Sequence, residues 1–104
     1  MADNRRSSTR HAVSIAAKLA IGDSSGTDCT IMNLSLGGAL ISATRRYAMG
    51  QRTQISFKIP TMEEAIDVGA TVRWADDNSV GIQFDGLRAR DVWSLNEYFK
   101  QLAP

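Results

Sequence analysis

Three arginines lie near the start of the chain, Arg5, Arg6 and Arg10, in a stretch whose only acid is Asp3. Arg6 and Arg10 form an Arg-x-x-x-Arg spacing, and Arg5 adds a third cation directly in front. In an extended segment positions 6 and 10 point the same way, about 13 Å apart at roughly 3.3 Å per residue. One ligand can then be gripped at two places. A guanidinium is a rigid fork that fits either a pair of phosphate oxygens or the O6/N7 edge of guanine. Ser7, Ser8 and Thr9 between the arginines are small and add hydroxyl donors. The chemistry suggested is capture of a small anion.

A second polar constellation follows at Asn33-Leu34-Ser35-Leu36-Gly37-Gly38. In extended backbone Asn33 and Ser35 share one side and Leu34 and Leu36 the other, so the polar pair faces a ligand while the leucines anchor the segment in the core. Asn33 and Ser35 can donate to or accept from a base edge, and Gly37 and Gly38 permit positive φ and close approach of a ligand to the backbone.

The elements that must position these groups are mostly strands. Val13, Ile15, Ala17, Leu19 and Ile21 alternate with small or polar residues, giving a strand with one buried face. Turn-forming residues 22–26 end it, and a returning strand is expected over 27–34. Ala39 to Ser42 reads as a third strand, the alternation of Ile55, Phe57 and Ile59 as a fourth, Ile66 to Trp74 as a fifth and Val80 to Phe84 as a sixth. The fifth and sixth are joined by a turn at Ala75 to Ser79. Beyond Gly86 the period changes: Val92, Leu95, Phe99 and Leu102 recur at three- and four-residue steps, which predicts an amphipathic helix from about residue 87. Six short strands and one helix predict an all-β fold, a six-stranded antiparallel β-barrel with a C-terminal α-helix, because closure removes exposed edges. The expected organisation is a flexible arm over 1–11 and one barrel domain over 12–104.

The arginine arm and the Asn-x-Ser-x-Gly-Gly stretch, in that order and separation, resemble the signature of the PilZ family, Arg-x-x-x-Arg followed by Asp/Asn-x-Ser-x-x-Gly. The matching positions are Arg6, Arg10, Asn33, Ser35 and Gly38. The strand ending Thr71-Val72-Arg73-Trp74, the Val80-Gly81-Ile82-Gln83-Phe84 strand and the terminal helix also resemble the family pattern. The resemblance implies binding of bis-(3′-5′)-cyclic dimeric GMP (c-di-GMP), with Arg6 and Arg10 on guanine Hoogsteen edges and phosphates and Asn33 and Ser35 on a guanine edge. Asn33 in place of aspartate offers one acceptor oxygen instead of a carboxylate, so weaker base reading is expected. An arginine at position 5 implies a stacked pair of ligand molecules per domain.

Trp74 is in phase with Val72 and Ala70, which places it in the core; as a residue of the strand end it could instead reach the barrel rim and stack on guanine. The ligand-binding set is therefore Arg5, Arg6, Arg10, Asn33, Ser35, Gly37, Gly38 and Trp74. His11 has no evident partner and receives no role.

Composition narrows the classes. A chain of 104 residues with 43% hydrophobic residues and 22% charge suits one globular domain. No apolar run reaches the ~18–20 residues of a membrane span, and the N-terminus lacks a signal-peptide core. Cytoplasmic location and no membrane insertion are expected. A net charge of +1 argues against long nucleic acid as a partner. One cysteine and one histidine leave no metal cluster, and no nucleophile-base pair suggests an enzyme. No cofactor is expected beyond the ligand. The reading is a monomeric receptor whose arm orders on binding and signals to an effector protein. The alternatives are a ligand-independent adaptor and a small barrel that binds single-stranded nucleic acid, the latter disfavoured by low charge and the lack of clustered aromatics.

Overall fold

The computed structural model describes residues 10–21, 26–42 and 47–102. Its strands are β1 (His11–Ala20), β2 (Thr27–Leu34), β3 (Gly38–Ser42), β4 (Arg52–Phe57), β5 (Ile66–Ala75) and β6 (Ser79–Phe84), followed by α1 (Ala89–Leu102). The strands close into a barrel in the order β1-β2-β3-β6-β5-β4, and every neighbouring pair is antiparallel. The fold class is the one the alternation predicts.

Alternation sets the inside of the barrel. Ile15, Ala17 and Leu19 of β1 are buried while Ser14, Ala16 and Lys18 are exposed. Ile31, Leu34, Ile41, Ile55, Ile66, Val72 and Val80 fill the interior with almost no exposure. Burying each aliphatic side chain of this size contributes about 1.5–3 kcal/mol. β4 ends at Phe57, earlier than the Ile55-Phe57-Ile59 alternation suggests, yet Ile59 remains buried beyond the strand end.

Helix α1 places Leu95, Tyr98 and Phe99 against the barrel, with Asp91 in its first turn and Lys100 in its last, each complementing the helix dipole. It begins at Ala89, two residues after the predicted start, and Leu102 is 38% exposed rather than part of the buried face. The Phe99 ring stacks on His11, with centroids 4.1 Å apart and planes 16° from parallel. His11, which the sequence left without a role, is thus the first residue of β1 and its contact with the helix. Among the described residues, no helix is long and apolar enough to cross a membrane.

Three register shifts interrupt the ladders: β1 with β2 between Ala12 and Ile15, β2 with β3 between Ile31 and Asn33, and β5 with β6 between Val72 and Trp74. Bulges of this kind bend strands and re-aim side chains at barrel rims. The third of them spans Arg73 and ends at Trp74, two residues of the cleft described next.

Candidate functional site

The turn between β2 and β3 is held by one side chain. Ser35 Oγ accepts hydrogen bonds from the Gly37 and Gly38 N–H groups, both at 3.1 Å, and donates to the Gly38 carbonyl at 3.2 Å. The Ser35 N–H donates to the same carbonyl at 2.9 Å. Ser35 is only 5% exposed. Its hydroxyl bonds within the turn and so holds the backbone of the segment in place.

Gly38 acts through space rather than through φ. Among the described residues positive φ occurs only at Gly50. A Cβ at Gly38 would overlap the Ile82 carbonyl oxygen and stand 3.1 Å from Gln83 Cα, both backbone atoms of β6. The Gly37 carbonyl accepts from the Phe84 N–H at 2.8 Å, which ties the other side of the turn to the same strand. Close approach of two backbones is therefore what requires glycine at position 38.

Trp74 is turned outward by the register shift after Val72. Its Cα is paired with Gly81, whereas unbroken alternation from Ala70 and Val72 would send it into the core. It is 39% exposed. The core placement suggested by sequence phase is thus corrected by a bulge that the residue pattern does not announce.

These features converge on one cleft of about 370 Å³, lined by Arg10 at the head of β1, Ser35, Gly37 and Gly38 of the turn, Arg73 and Trp74 of β5, and Gly81, Ile82 and Gln83 of β6. That volume lies within the ~300–1,000 Å³ range of small-molecule sites. Two guanidinium groups and no carboxylate stand among its described lining residues. The local field therefore favours an anion.

Of the residues expected from sequence, Arg10, Ser35, Gly37, Gly38 and Trp74 come together here. Asn33 pairs with Ala12 and Leu40 in the sheet and is not among the described residues lining the cleft. Arg5 and Arg6 lie outside the described residues. Arg73, Gly81 and Gln83 also line the cleft, and the sequence shows them only as members of their strands. Arg73 flanks Trp74 and Gly81 opposes it in the β5-β6 hairpin, while Gln83 pairs with Thr71 and Gly38.

A larger groove of about 610 Å³ runs between β1, the segment after β4 and the helix, and its lining includes Ser14, Ile15, Lys58, Met62, Glu63 and Tyr98. One lysine balanced by one glutamate gives it no preference for an anion, so size alone does not mark the site. Cys29 is buried, and burial first, then the neighbouring Asp28 carboxylate, pushes its thiol up to about 11, leaving little thiolate at neutral pH. Among the described residues no group of three or more His, Cys, Asp or Glu side chains could hold a metal ion.

The profile of the PilZ domain matches residues 4–101, nearly the whole chain. The chain belongs to the PilZ domain family. No curated protein sequence matches it significantly. Solved PilZ-like structures share the architecture at low identity. The inhibitor of motility MotI/DgrA of Bacillus subtilis is 14% identical over 90% of this chain, with a TM-score of 0.71. The PilZ domain of CeSA from a cellulose-synthesizing bacterium is 18% identical over 89%, with a TM-score of 0.69. PlzA of Borreliella burgdorferi, solved in complex with c-di-GMP, is 20% identical over 93%, with a TM-score of 0.60. The chain spans 51% of MotI/DgrA and 36% of PlzA, but 97% of the CeSA domain structure. At these identities the likeness is one of fold.

Proposed function

We propose that this PilZ domain is a c-di-GMP receptor that works by binding and changing shape rather than by catalysis. The observation that carries the reading is the convergence of Arg10, the Ser35–Gly38 turn and Trp74 on one cationic cleft. Membership of the PilZ family supports it, as does the c-di-GMP complex of PlzA, a protein of the same fold.

In this reading Arg10 stands where the arm meets the barrel, and Arg5 and Arg6 extend the same cationic segment toward the ligand's phosphates and guanine edges. Holding Arg5 to Arg10 in one conformation costs about 6–12 kcal/mol at 1–2 per residue. Bidentate arginine contacts, at ~1–3 kcal/mol each, and stacking on Trp74, at ~1–3, offset that cost. Binding then alters the surface beside β1, and a protein effector reads the change. The motility inhibitor MotI/DgrA, of the same fold, is consistent with an output of this kind. The proposal includes two stacked ligand molecules, with Arg5 beside the second, and places the protein in the cytoplasm, where an unpaired Cys29 is at home.

Isothermal titration calorimetry with c-di-GMP tests the reading. Saturable binding is expected with two ligands per chain, weakened at least tenfold, about 1.4 kcal/mol, by Arg10→Ala at an unchanged melting temperature. Absence of binding, or equal affinity in the variant, contradicts it. Saturation at one ligand per chain removes the stacked pair alone.

A further inference from the structure

Trp74 and Gly81 are directly opposed across β5 and β6, just after the register shift that turns Trp74 outward. The indole lies so near Gly81 that a Cβ built there would overlap Trp74 Nε1 and stand 2.6 Å from Cε2 and 2.8 Å from Cδ1. Cβ atoms essentially never approach other atoms this closely. A ring set against a cross-strand glycine covers backbone that the glycine leaves bare, a pairing known to stabilise antiparallel strands. Trp74 is nonetheless 39% exposed and lines the cleft together with Gly81 itself.

Two conditions must hold for Trp74 to present a stacking surface. The bulge must turn it out of the core, and something must then keep it from swinging free on the barrel rim. The first is met by the register shift between Val72 and Trp74. For the second, β6 supplies a seat: Gly81 is itself buried, and the space a side chain would fill is occupied by the indole.

We propose that Gly81 is the positioning residue for the cleft's aromatic surface. By lacking a side chain it lets the Trp74 indole settle against β6, in the orientation that meets a guanine entering between Arg10 and the Ser35–Gly38 turn. The role rests on the reading of the cleft as a c-di-GMP site. It acts wholly through Trp74, since Gly81 offers a ligand no side-chain group.

The test uses Trp93→Phe as the background, which leaves Trp74 as the sole indole of a chain with two tryptophans and alters an exposed helix residue outside the cleft. In the ligand-free protein, Gly81→Ala should red-shift Trp74 emission and raise its quenching by acrylamide. By calorimetry it should weaken c-di-GMP binding about tenfold or more, the scale of losing one base-aromatic stack. In a Trp74→Ala protein the same Gly81→Ala change should alter affinity by less than about twofold, because the two substitutions remove one contact.

Unchanged emission and quenching, or a full loss of affinity from Gly81→Ala in the absence of Trp74, overturns the proposal. If Gly81→Ala alone unfolds the domain, melting of the double variant decides: recovery on removal of the indole shows that Cβ and ring compete for one space, and continued unfolding overturns it. Failure of the unsubstituted protein to bind c-di-GMP counts against the receptor reading, while quenching and melting still decide how Gly81 and Trp74 are related.

Discussion

Two turns in the barrel are built on the same hydrogen-bond pattern. In one, Ser35 Oγ accepts from the N–H groups two and three residues ahead, and the Ser35 N–H donates to the carbonyl of Gly38. In the other, between β5 and β6, Asp76 Oδ1 accepts from the Asn78 and Ser79 N–H groups at 3.0 and 2.9 Å, and the Asp76 N–H donates to the Ser79 carbonyl at 2.9 Å. The surroundings differ. Ser35 is buried, its turn is fastened to β6 through the Phe84 N–H, and Gly38 lies against the Ile82 carbonyl. Asp76 is exposed at a hairpin tip. The same local hydrogen-bond pattern therefore yields a cleft wall where neighbouring backbone presses on the turn and a hairpin connection where the turn is exposed.

Breaking the buried turn should have the largest effect. Gly38→Ala forces a Cβ against backbone that cannot step aside, and about 1–3 kcal/mol of stability should be lost in urea unfolding, with c-di-GMP affinity falling alongside. No loss would mean that the two backbones separate easily. Next comes Ser35→Ala, which leaves the Gly37 and Gly38 N–H groups without their acceptor and should cost about 1–2 kcal/mol. A Ser35→Ala protein of unchanged stability that binds ligand poorly would instead assign the hydroxyl to the ligand.

Arg73→Gln probes the exposed flank of the cleft. It should leave stability within about 0.5 kcal/mol and weaken binding severalfold, more at low salt than at high, as for a charge at a site's rim. The smallest effect belongs to Asp76, whose carboxyl is held below the ordinary carboxylate range by the Asn78 N–H, then the Ser79 hydroxyl and the Ser79 N–H. A group with a folded-state pKa below its unfolded value stabilises above the unfolded pKa, and that contribution fades as pH falls through the folded value. Thermal melts of wild type and Asp76→Ala should therefore differ at pH 7, begin to converge as pH falls past about 4, the unfolded aspartate range, and meet only below the depressed folded-state value. The Ser35 turn carries no ionisable group and should show no such dependence of its own.

The strands were legible because a half-buried strand must alternate, and β1, β4 and β5 do so over most of their length, while the mixed pattern of β2 left its bounds less defined. The motif residues were legible by type and spacing, and Arg10, Ser35, Gly37 and Gly38 do meet at one cleft. What alternation could not convey was its own interruption. A single bulge reverses the phase of Trp74, and no residue near it signals the break. The inward commitment of Ser35 was hidden for a related reason: a serine that reads a ligand and a serine that caps a turn have the same sequence. The His11–Phe99 stack joins two ends of the chain and had no local signature at all.

The central claim concerns place as much as affinity, and amide and indole N–H shift mapping by NMR tests it directly. Addition of c-di-GMP to 15N-labelled protein should perturb Gly37, Gly38, Gly81 and the Trp74 indole Nε1–H most strongly, leaving Asn78 and Ser79 of the second turn nearly still. Perturbation centred on Ser14, Met62 and Tyr98, in the larger and electrically balanced groove, would contradict the account.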